Sequence, residues 1–198
     1  MGPVPTDAGS SRQSEQELVL DRKVDPVTNP REYQDLIAGL VGDRDPADVQ
    51  SELIGEVGSV VREAGPHLRT RPAPHEWSIL ELLGHLVDAE LVSTARYRWI
   101  LAQDEPQLIG YDQDRWVERM NHQEADPEDL LSLLGALRRS NLDLWSRGSE
   151  AERARVGIHA ERGPESLDLV FRLIAGHGLY HLAQMQRTLR QITSSAGG

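Results

Sequence analysis

The chain has 198 residues, 38% of them hydrophobic, and a formal net charge of −11 at pH 7. This length predicts a single domain, and the acidic charge disfavours nucleic acid as a partner because the 21 lysine and arginine residues are spread along the sequence. No cysteine is present, which excludes disulfide scaffolds, thiolate metal ligands and cysteine nucleophiles.

The N-terminal segment differs in composition from the rest of the chain. Residues 1–28 are rich in glycine, proline, serine and charged residues and predict a disordered tail. They lack the basic and apolar regions of a secretory leader, and no apolar run in the sequence approaches the ~20 residues of a membrane span. We therefore expect a cytoplasmic protein that does not bind membranes.

Helical periodicity begins after this tail. A short helix is expected within residues 29–44, where an Asn-Pro start signal precedes apolar residues at helical spacing. Residues 45–193 carry sustained helical periodicity, and residues 194–198 predict a short C-terminal tail.

Four long helices are predicted within residues 45–193. An Asp-Pro pair precedes the first and the third, and Ser78 and Ser166 precede the second and the fourth. Residues 104–126 indicate a long polar connection, and the polar, glycine-rich segment after Gly148 predicts a short extended turn. The helices are expected to span about 46–70, 79–103, 127–147 and 167–192. Without an alternating strand pattern, these elements predict an all-α four-helix bundle with long connections.

Histidines lie on the apolar faces of two predicted helices. The segment "GHGLYHLAQMQ" of the fourth helix places His177 and His181 one turn apart on the inward face, and His85 lies between apolar positions of the second. Imidazoles at this spacing can bind one cation with metal–nitrogen bonds of ~2.0–2.1 Å. The three histidines therefore predict a metal site, and glycines beside them are expected where backbones or a ligand approach closely: Gly84, Gly176 and Gly178.

Other interpretations of the histidines are structural. Three buried imidazoles could be core residues if each has a hydrogen-bond partner, because an unpaired buried ring costs ~1–3 kcal/mol. The remaining histidines fall at helix ends or in loops and are expected to be solvated: His67, His75, His122 and His159. "HEWSI" lacks the second histidine of the zincin motif, and no glutamate precedes histidine by three residues, as a ferritin-like di-iron site requires.

Three stretches of the sequence resemble the DinB-like (YfiT-like) superfamily of metal-binding four-helix-bundle proteins. They are "PHEWSILELLGHLVDAE" at 74–90, "DQDRW" at 112–116 and "AGHGLYHLAQMQ" at 175–186. The resemblance covers about residues 50 to 190 and assigns the metal-binding triad to His85, His177 and His181, the residues chosen above. It also implies that Trp77 is a structural residue at the start of a helix and that the protein can form a homodimer, as members of the superfamily often do.

The predicted site has open coordination positions. Three imidazoles suit zinc, nickel or iron, and an open cation can bind and deprotonate a thiol or activate water. Because the chain has no cysteine, we expect a metal-dependent transferase that activates an external low-molecular-weight thiol for attack on an electrophilic small molecule, as in detoxification or stress response. The resemblance names bacillithiol and mycothiol as such thiols. The alternatives are a metal-dependent hydrolase that uses bound water and a non-enzymatic metal-stabilised binding protein with a closed site.

Charged residues near the predicted site have two interpretations each. Arg96, on the inward face of the second helix, either contacts a carboxylate of the substrate or thiol cofactor or pairs with an acidic neighbour. Four carboxylates either contact the site or belong to a solvated face, and the solvated face is expected because acidic residues are rarely buried: Asp88, Glu90, Asp112 and Asp114.

Overall fold

The computed structural model describes residue 24 and residues 28–196 and is mostly helical. The predicted N-terminal tail lies almost wholly outside the described residues. The α-helices are α1 (Pro30–Val41), α2 (Pro46–Ala64), α3 (Ile79–Ala102), α4 (Gln113–Arg119), α5 (Pro127–Arg147), α6 (Glu150–Arg153) and α7 (Leu167–Ala196). The strands are β1 (Gln107–Leu108), β2 (Val156–His159) and β3 (Gly163–Ser166), and Gly65–His67 and His122–Glu124 form 3-10 turns.

Side-chain caps set the starts of the long helices where the sequence predicts them. The Asp45 carboxylate accepts a hydrogen bond from the Ala47 amide at 2.8 Å at the start of α2. Ser78 and Glu81 form a complete capping box at the start of α3. Asp126 caps α5 in the same way as Asp45 caps α2. Each cap satisfies amide groups that the first helical turn leaves without intrahelical acceptors.

The four long helices form the predicted bundle. Helix α7 packs against α2 and α3, and α5 packs against the same two helices on the other side. Their apolar faces form a continuous core that includes Leu53, Leu83 and Met185. Helix α1 packs on the outside of α7. None of the helices in the described part of the chain has the length and apolar content that a membrane span needs.

The connections contain more regular structure than the sequence predicts. Within the connection 104–126, Asp112 caps the short helix α4 through the Arg115 amide at 3.0 Å. Strand β1 from this connection pairs in parallel with β2, and β2 pairs antiparallel with β3, so the expected extended turn is part of a three-stranded sheet. Strands of two to four residues are too short to show an alternating pattern in the sequence. Helix α7 also continues past the predicted boundary at 193, to Ala196.

A buried ion pair joins α3 to α5, and the expectation that Glu90 lies on a solvated face is wrong. Glu90 and Arg138 are each 1% exposed, with Arg138 Nη2 3.1 Å from Glu90 Oε2. The Asn141 amide donates to the other carboxylate oxygen at 2.8 Å. The carboxylate thus has the charged partner and the hydrogen bonds that a buried acid requires.

Glycines occur where two elements approach closely, as expected. A Cβ on Gly176 of α7 would overlap the backbone carbonyl oxygen of Ile37 in α1, and a Cβ on Gly178 would lie 2.6 Å from Leu53 Cδ1. On α3, a Cβ at Gly84 would overlap the His122 ring. Only glycine permits α1 to lie directly on α7 at Gly176.

We predict that Gly176→Ala destabilises the protein because the added methyl group must push α1 away from α7. Overpacking of this kind costs about 1–3 kcal/mol in the free energy of unfolding. Gly55→Ala is the matched control, since Gly55 is exposed on α2 and a Cβ there meets nothing within 4 Å. Helix propensity should make the control more stable by up to ~1 kcal/mol. Urea denaturation measures both, and a Gly176→Ala variant as stable as the control would contradict the close approach of α1.

Candidate metal centre

Three histidine side chains from two helices meet inside the bundle. His85 projects from α3, and His177 and His181 project from successive turns of α7. The Nε2 atom of His85 lies 3.0 Å from Nε2 of His177 and 3.2 Å from Nε2 of His181. The structure therefore brings together the three residues that the sequence predicts as metal ligands.

The three nitrogen atoms have the spacing of ligands around one ion. Nitrogen atoms bound at ~2.0–2.1 Å at the corners of a tetrahedron are about 3.3 Å apart, close to the observed separations. In a neutral imidazole, each ring nitrogen either donates or accepts a hydrogen bond. Three nitrogens that face one another therefore cannot pair with one another without leaving one unpaired or sharing one N–H between two lone pairs. A cation instead accepts one lone pair from each ring, and the residues present thus fit a bound metal ion.

Burial keeps the three rings neutral. It lowers the pKa of His85 and His177 well below the usual value for histidine, and the neighbouring imidazoles lower these pKa values further. Burial also lowers the pKa of His181 to about 4. Neutral imidazole is the form that binds metal ions, so these nitrogens are available as ligands at pH 7.

Two neighbouring side chains orient the rings. The Nδ1–H group of His181 donates to Gln184 Oε1 at 2.9 Å, which directs the Nε2 lone pair towards the other histidines. The half-buried Trp77 ring lies 5.0 Å from the His85 ring, between centroids. Trp77 thus packs directly against a ligand at the start of α3, in agreement with its predicted structural role.

A cavity of about 450 Å³ reaches the histidine cluster at His177. Its walls come from α1, α3, α7, the β2–β3 hairpin and the segment before α4. His177 is half-buried and lines this cavity, whereas His85 and His181 are buried. Among the described residues, no fourth histidine, aspartate or glutamate joins the cluster. The site therefore has three protein ligands and one side that faces open space.

Arg96 lies in the wall of the same cavity. It is 7% exposed, and its Nη2 group donates to the Ile109 carbonyl at 2.7 Å and lies 3.2 Å from Nε2 of His159. No acidic side chain forms an ion pair with Arg96 in the part of the chain that the structure describes. Of the two interpretations of Arg96, an ion pair with an acidic neighbour is not observed among the described residues.

Two histidines expected to be solvated are buried. His122 donates through Nε2 to Asp88 Oδ2 at 2.7 Å, beside Gly84 and therefore next to the ligand His85 along α3. His159 is 2% exposed and contacts Arg96. The solvated interpretation is also wrong for Asp88, which is 5% exposed.

The remaining predictions of solvation are confirmed only in part. Asp112 and Asp114 are exposed and line the mouth of the cavity. His75 is exposed, and His67 is half-buried.

A bundle of four long helices with a cluster of three histidines, one of which lines a cavity, defines a class of helical metal-binding proteins. A family model described as the DinB superfamily matches residues 65–185, which is more than half of the chain. The chain belongs to the DinB superfamily. The match includes all three histidines of the candidate metal centre.

Two curated relatives show what the chain resembles in sequence. A protein of Oceanobacillus iheyensis, named "Putative metal-dependent hydrolase", is 27% identical over 109 residues, which are 55% of this chain and 63% of the relative. A protein of Geobacillus thermodenitrificans with the same name is 25% identical over 154 residues, 71% of this chain and 86% of the relative. The chain thus spans less than two thirds of the Oceanobacillus protein.

A solved structure shows the same fold. YfiT from Bacillus subtilis, described as "a probable metal-dependent hydrolase with an unusual four-helix bundle topology", superposes with a TM-score of 0.70 at 20% identity. The superposition covers 87% of this chain and 92% of YfiT. The predicted fold class is confirmed.

We predict that His85→Ala, His177→Ala and His181→Ala each remove bound metal. Elemental analysis of the purified wild-type protein should find about one divalent ion per chain, and each variant should lose most of it because two imidazoles hold an ion far less tightly than three. His75→Ala is the matched control, since His75 is exposed and outside the cluster, and it should keep the ion. Equal metal content in the control and the three variants would contradict the site.

Proposed function

We propose that this protein is a metal-dependent hydrolase that acts on a small molecule. The observation that carries the proposal is the position of His177, which belongs both to the histidine cluster and to the wall of the cavity of about 450 Å³. A molecule in this cavity lies against one ligand of the ion. The names of the two relatives support hydrolysis as the reaction.

The histidines would hold the ion, and their surroundings prepare them for it. A divalent ion held by these three imidazoles would lower the pKa of a bound water to ~7 and could polarise a carbonyl group. His181 is held in the required tautomer by Gln184. His85 is 1% exposed and packs against the Trp77 ring, so this side chain has little contact with water.

Hydroxyl groups in the cavity can position an ester or amide. Ser93 lines the cavity, and its buried Oγ has no hydrogen-bond partner among the described residues. Burial raises the pKa of Tyr33 to about 12 and also raises that of Tyr111, so both phenols are neutral hydrogen-bond donors at pH 7. These groups can bind and orient the carbonyl oxygen of a substrate. Such binding would hold the scissile bond inside the cavity that His177 lines.

Thiol-dependent transfer, the reaction favoured by the sequence, would use the same ion. It differs from hydrolysis in requiring a second molecule, because the chain has no cysteine. An assay with and without added thiol therefore separates the two reactions. A closed, non-enzymatic metal site is disfavoured by the contact between His177 and the cavity.

We predict that the metal-loaded protein hydrolyses members of a panel of small aryl esters and amides without any thiol. The panel is tested with protein loaded with zinc, nickel or ferrous iron, and product release is followed by absorbance. Chelation and His177→Ala should each remove the activity, and His75→Ala should retain it. Replacing the chelated metal should restore hydrolysis in the wild-type protein.

Two outcomes would contradict this function. Hydrolysis that survives His177→Ala would show that the reaction does not use the histidine cluster. Turnover of the same electrophiles only after addition of a low-molecular-weight thiol, with a thioether or thioester as product, would identify the protein as a transferase instead.

A further inference from the structure

We infer that Arg96 binds a carboxylate group of the substrate, so that the protein acts on small molecules that carry one carboxylate beside the reacting bond. The assignment of this molecule as the substrate rests on the proposed function. The carboxylate site itself rests on Arg96, His159 and the cavity that they line together with His177.

Among the described residues, Arg96 differs from the buried Arg138 and the half-buried Arg162 in having no acidic side chain within ion-pair distance. Arg138 is paired with Glu90, with 3.1 Å between Nη2 and Oε2. Arg162, in the same cavity as Arg96, makes two hydrogen bonds to Glu165, at 2.6 and 3.0 Å. Arg96 has no such partner among the described residues, although only 7% of its surface is exposed. A buried charge is costly unless it is paired, which indicates an anion supplied from outside the chain.

The hydrogen bonds around Arg96 leave donors without acceptors. The Nε atom of Arg96 has no partner in the described part of the chain, and Nη2 has one clear acceptor, the Ile109 carbonyl at 2.7 Å. The other contact of Nη2 is His159 Nε2, at 3.2 Å.

His159 cannot accept from both of the donors beside it. The Glu161 amide lies 3.2 Å from Nδ1, and Arg96 Nη2 lies 3.2 Å from Nε2. Burial and the nearby Arg162 and Arg96 lower the pKa of His159 to about 4, so the ring is neutral at pH 7. A neutral imidazole has a single lone-pair nitrogen, so one of these two donors lacks an acceptor.

A carboxylate supplies the acceptors that Arg96 lacks. Its two oxygen atoms can accept from the guanidinium, and the charge of Arg96 strengthens these hydrogen bonds. The mouth of the cavity disfavours multiply charged anions, because Asp112 and Asp114 are exposed there and Glu165 already neutralises Arg162. A single carboxylate is thus the best match. With it bound at Arg96, the rest of the molecule can occupy the cavity that His177 also lines.

The carboxylate site is tested by direct binding, without turnover. Isothermal titration calorimetry compares acetate, benzoate and phenylacetate with their neutral amides on the wild-type protein, Arg96→Gln, Arg98→Gln and His85→Ala. Arg98→Gln is the matched control, since it removes the same charge two residues further along α3, at an exposed position outside the cavity. Circular dichroism verifies that each variant is folded.

We expect at least one carboxylate to bind the wild-type protein more tightly than its amide. Arg96→Gln should weaken this carboxylate about 10- to 100-fold, as expected for loss of charged hydrogen bonds, and leave the amide unchanged. Arg98→Gln and His85→Ala should bind it like the wild-type protein. The inference is overturned if no carboxylate is preferred over its amide, or if the preference survives in Arg96→Gln. It is also overturned if His85→Ala removes the preference, because the carboxylate would then bind at the metal.

A kinetic comparison separates failure of this inference from failure of the proposed function. For aryl esters with and without a carboxylate, Arg96→Gln should raise KM about 10-fold or more for the carboxylate ester alone and change kcat little. Absence of hydrolysis with normal carboxylate binding would reject the proposed function and retain the site. Hydrolysis with equal KM values for both esters in both proteins would reject the carboxylate site and retain the function.

Discussion

The structure depends on the meeting of three imidazole nitrogens between α3 and α7. Polar rings in a helical core are unfavourable unless their nitrogens have partners, and here Nε2 of His85 faces Nε2 of both His177 and His181, at 3.0 and 3.2 Å. Such an arrangement is poor for hydrogen bonding and well suited to a cation. Two further features help to position these helices. The Ser78 cap fixes where α3 begins, and Gly176 allows α1 to pack closely on α7.

The histidines of the cluster differ in their surroundings. His85 is buried and packs against the Trp77 ring. His177 is half-buried and lines a cavity together with residues of α1 and the β2–β3 hairpin. Two residues that line this cavity, Ser93 and Arg96, each have a buried polar atom without a partner among the described residues. Buried polar groups are normally satisfied, and their presence beside an open metal site is what a binding site for a polar small molecule requires.

Helix starts and the metal ligands could be predicted from the sequence because both depend on local patterns. Asp45, Ser78 and Asp126 cap helices through residues two or three positions away. The spacing of His177 and His181 places them on one face of any helix that contains them. His85 was identifiable because its neighbours at helical spacing are apolar.

The polar pairs of the core could not be predicted because their partners are distant in the sequence. Asp88 and His122 are 34 residues apart, and Glu90 and Arg138 are 48 apart. Every residue from Ser78 to Glu90 is buried, so the polar residues of this part of α3 do not mark a solvated face. The contact between Arg96 and His159 likewise requires the β2–β3 hairpin, whose strands have four residues each.

X-ray absorption spectroscopy of the metal-loaded protein is the most direct test of the central claim, that three imidazoles from α3 and α7 bind one ion. The predicted spectrum has about three imidazole nitrogen ligands at ~2.0–2.1 Å, with the multiple-scattering features of histidine rings and a remaining light-atom ligand. A first shell of oxygen atoms without imidazole scattering would contradict the account, because the ion would then bind outside the histidine cluster.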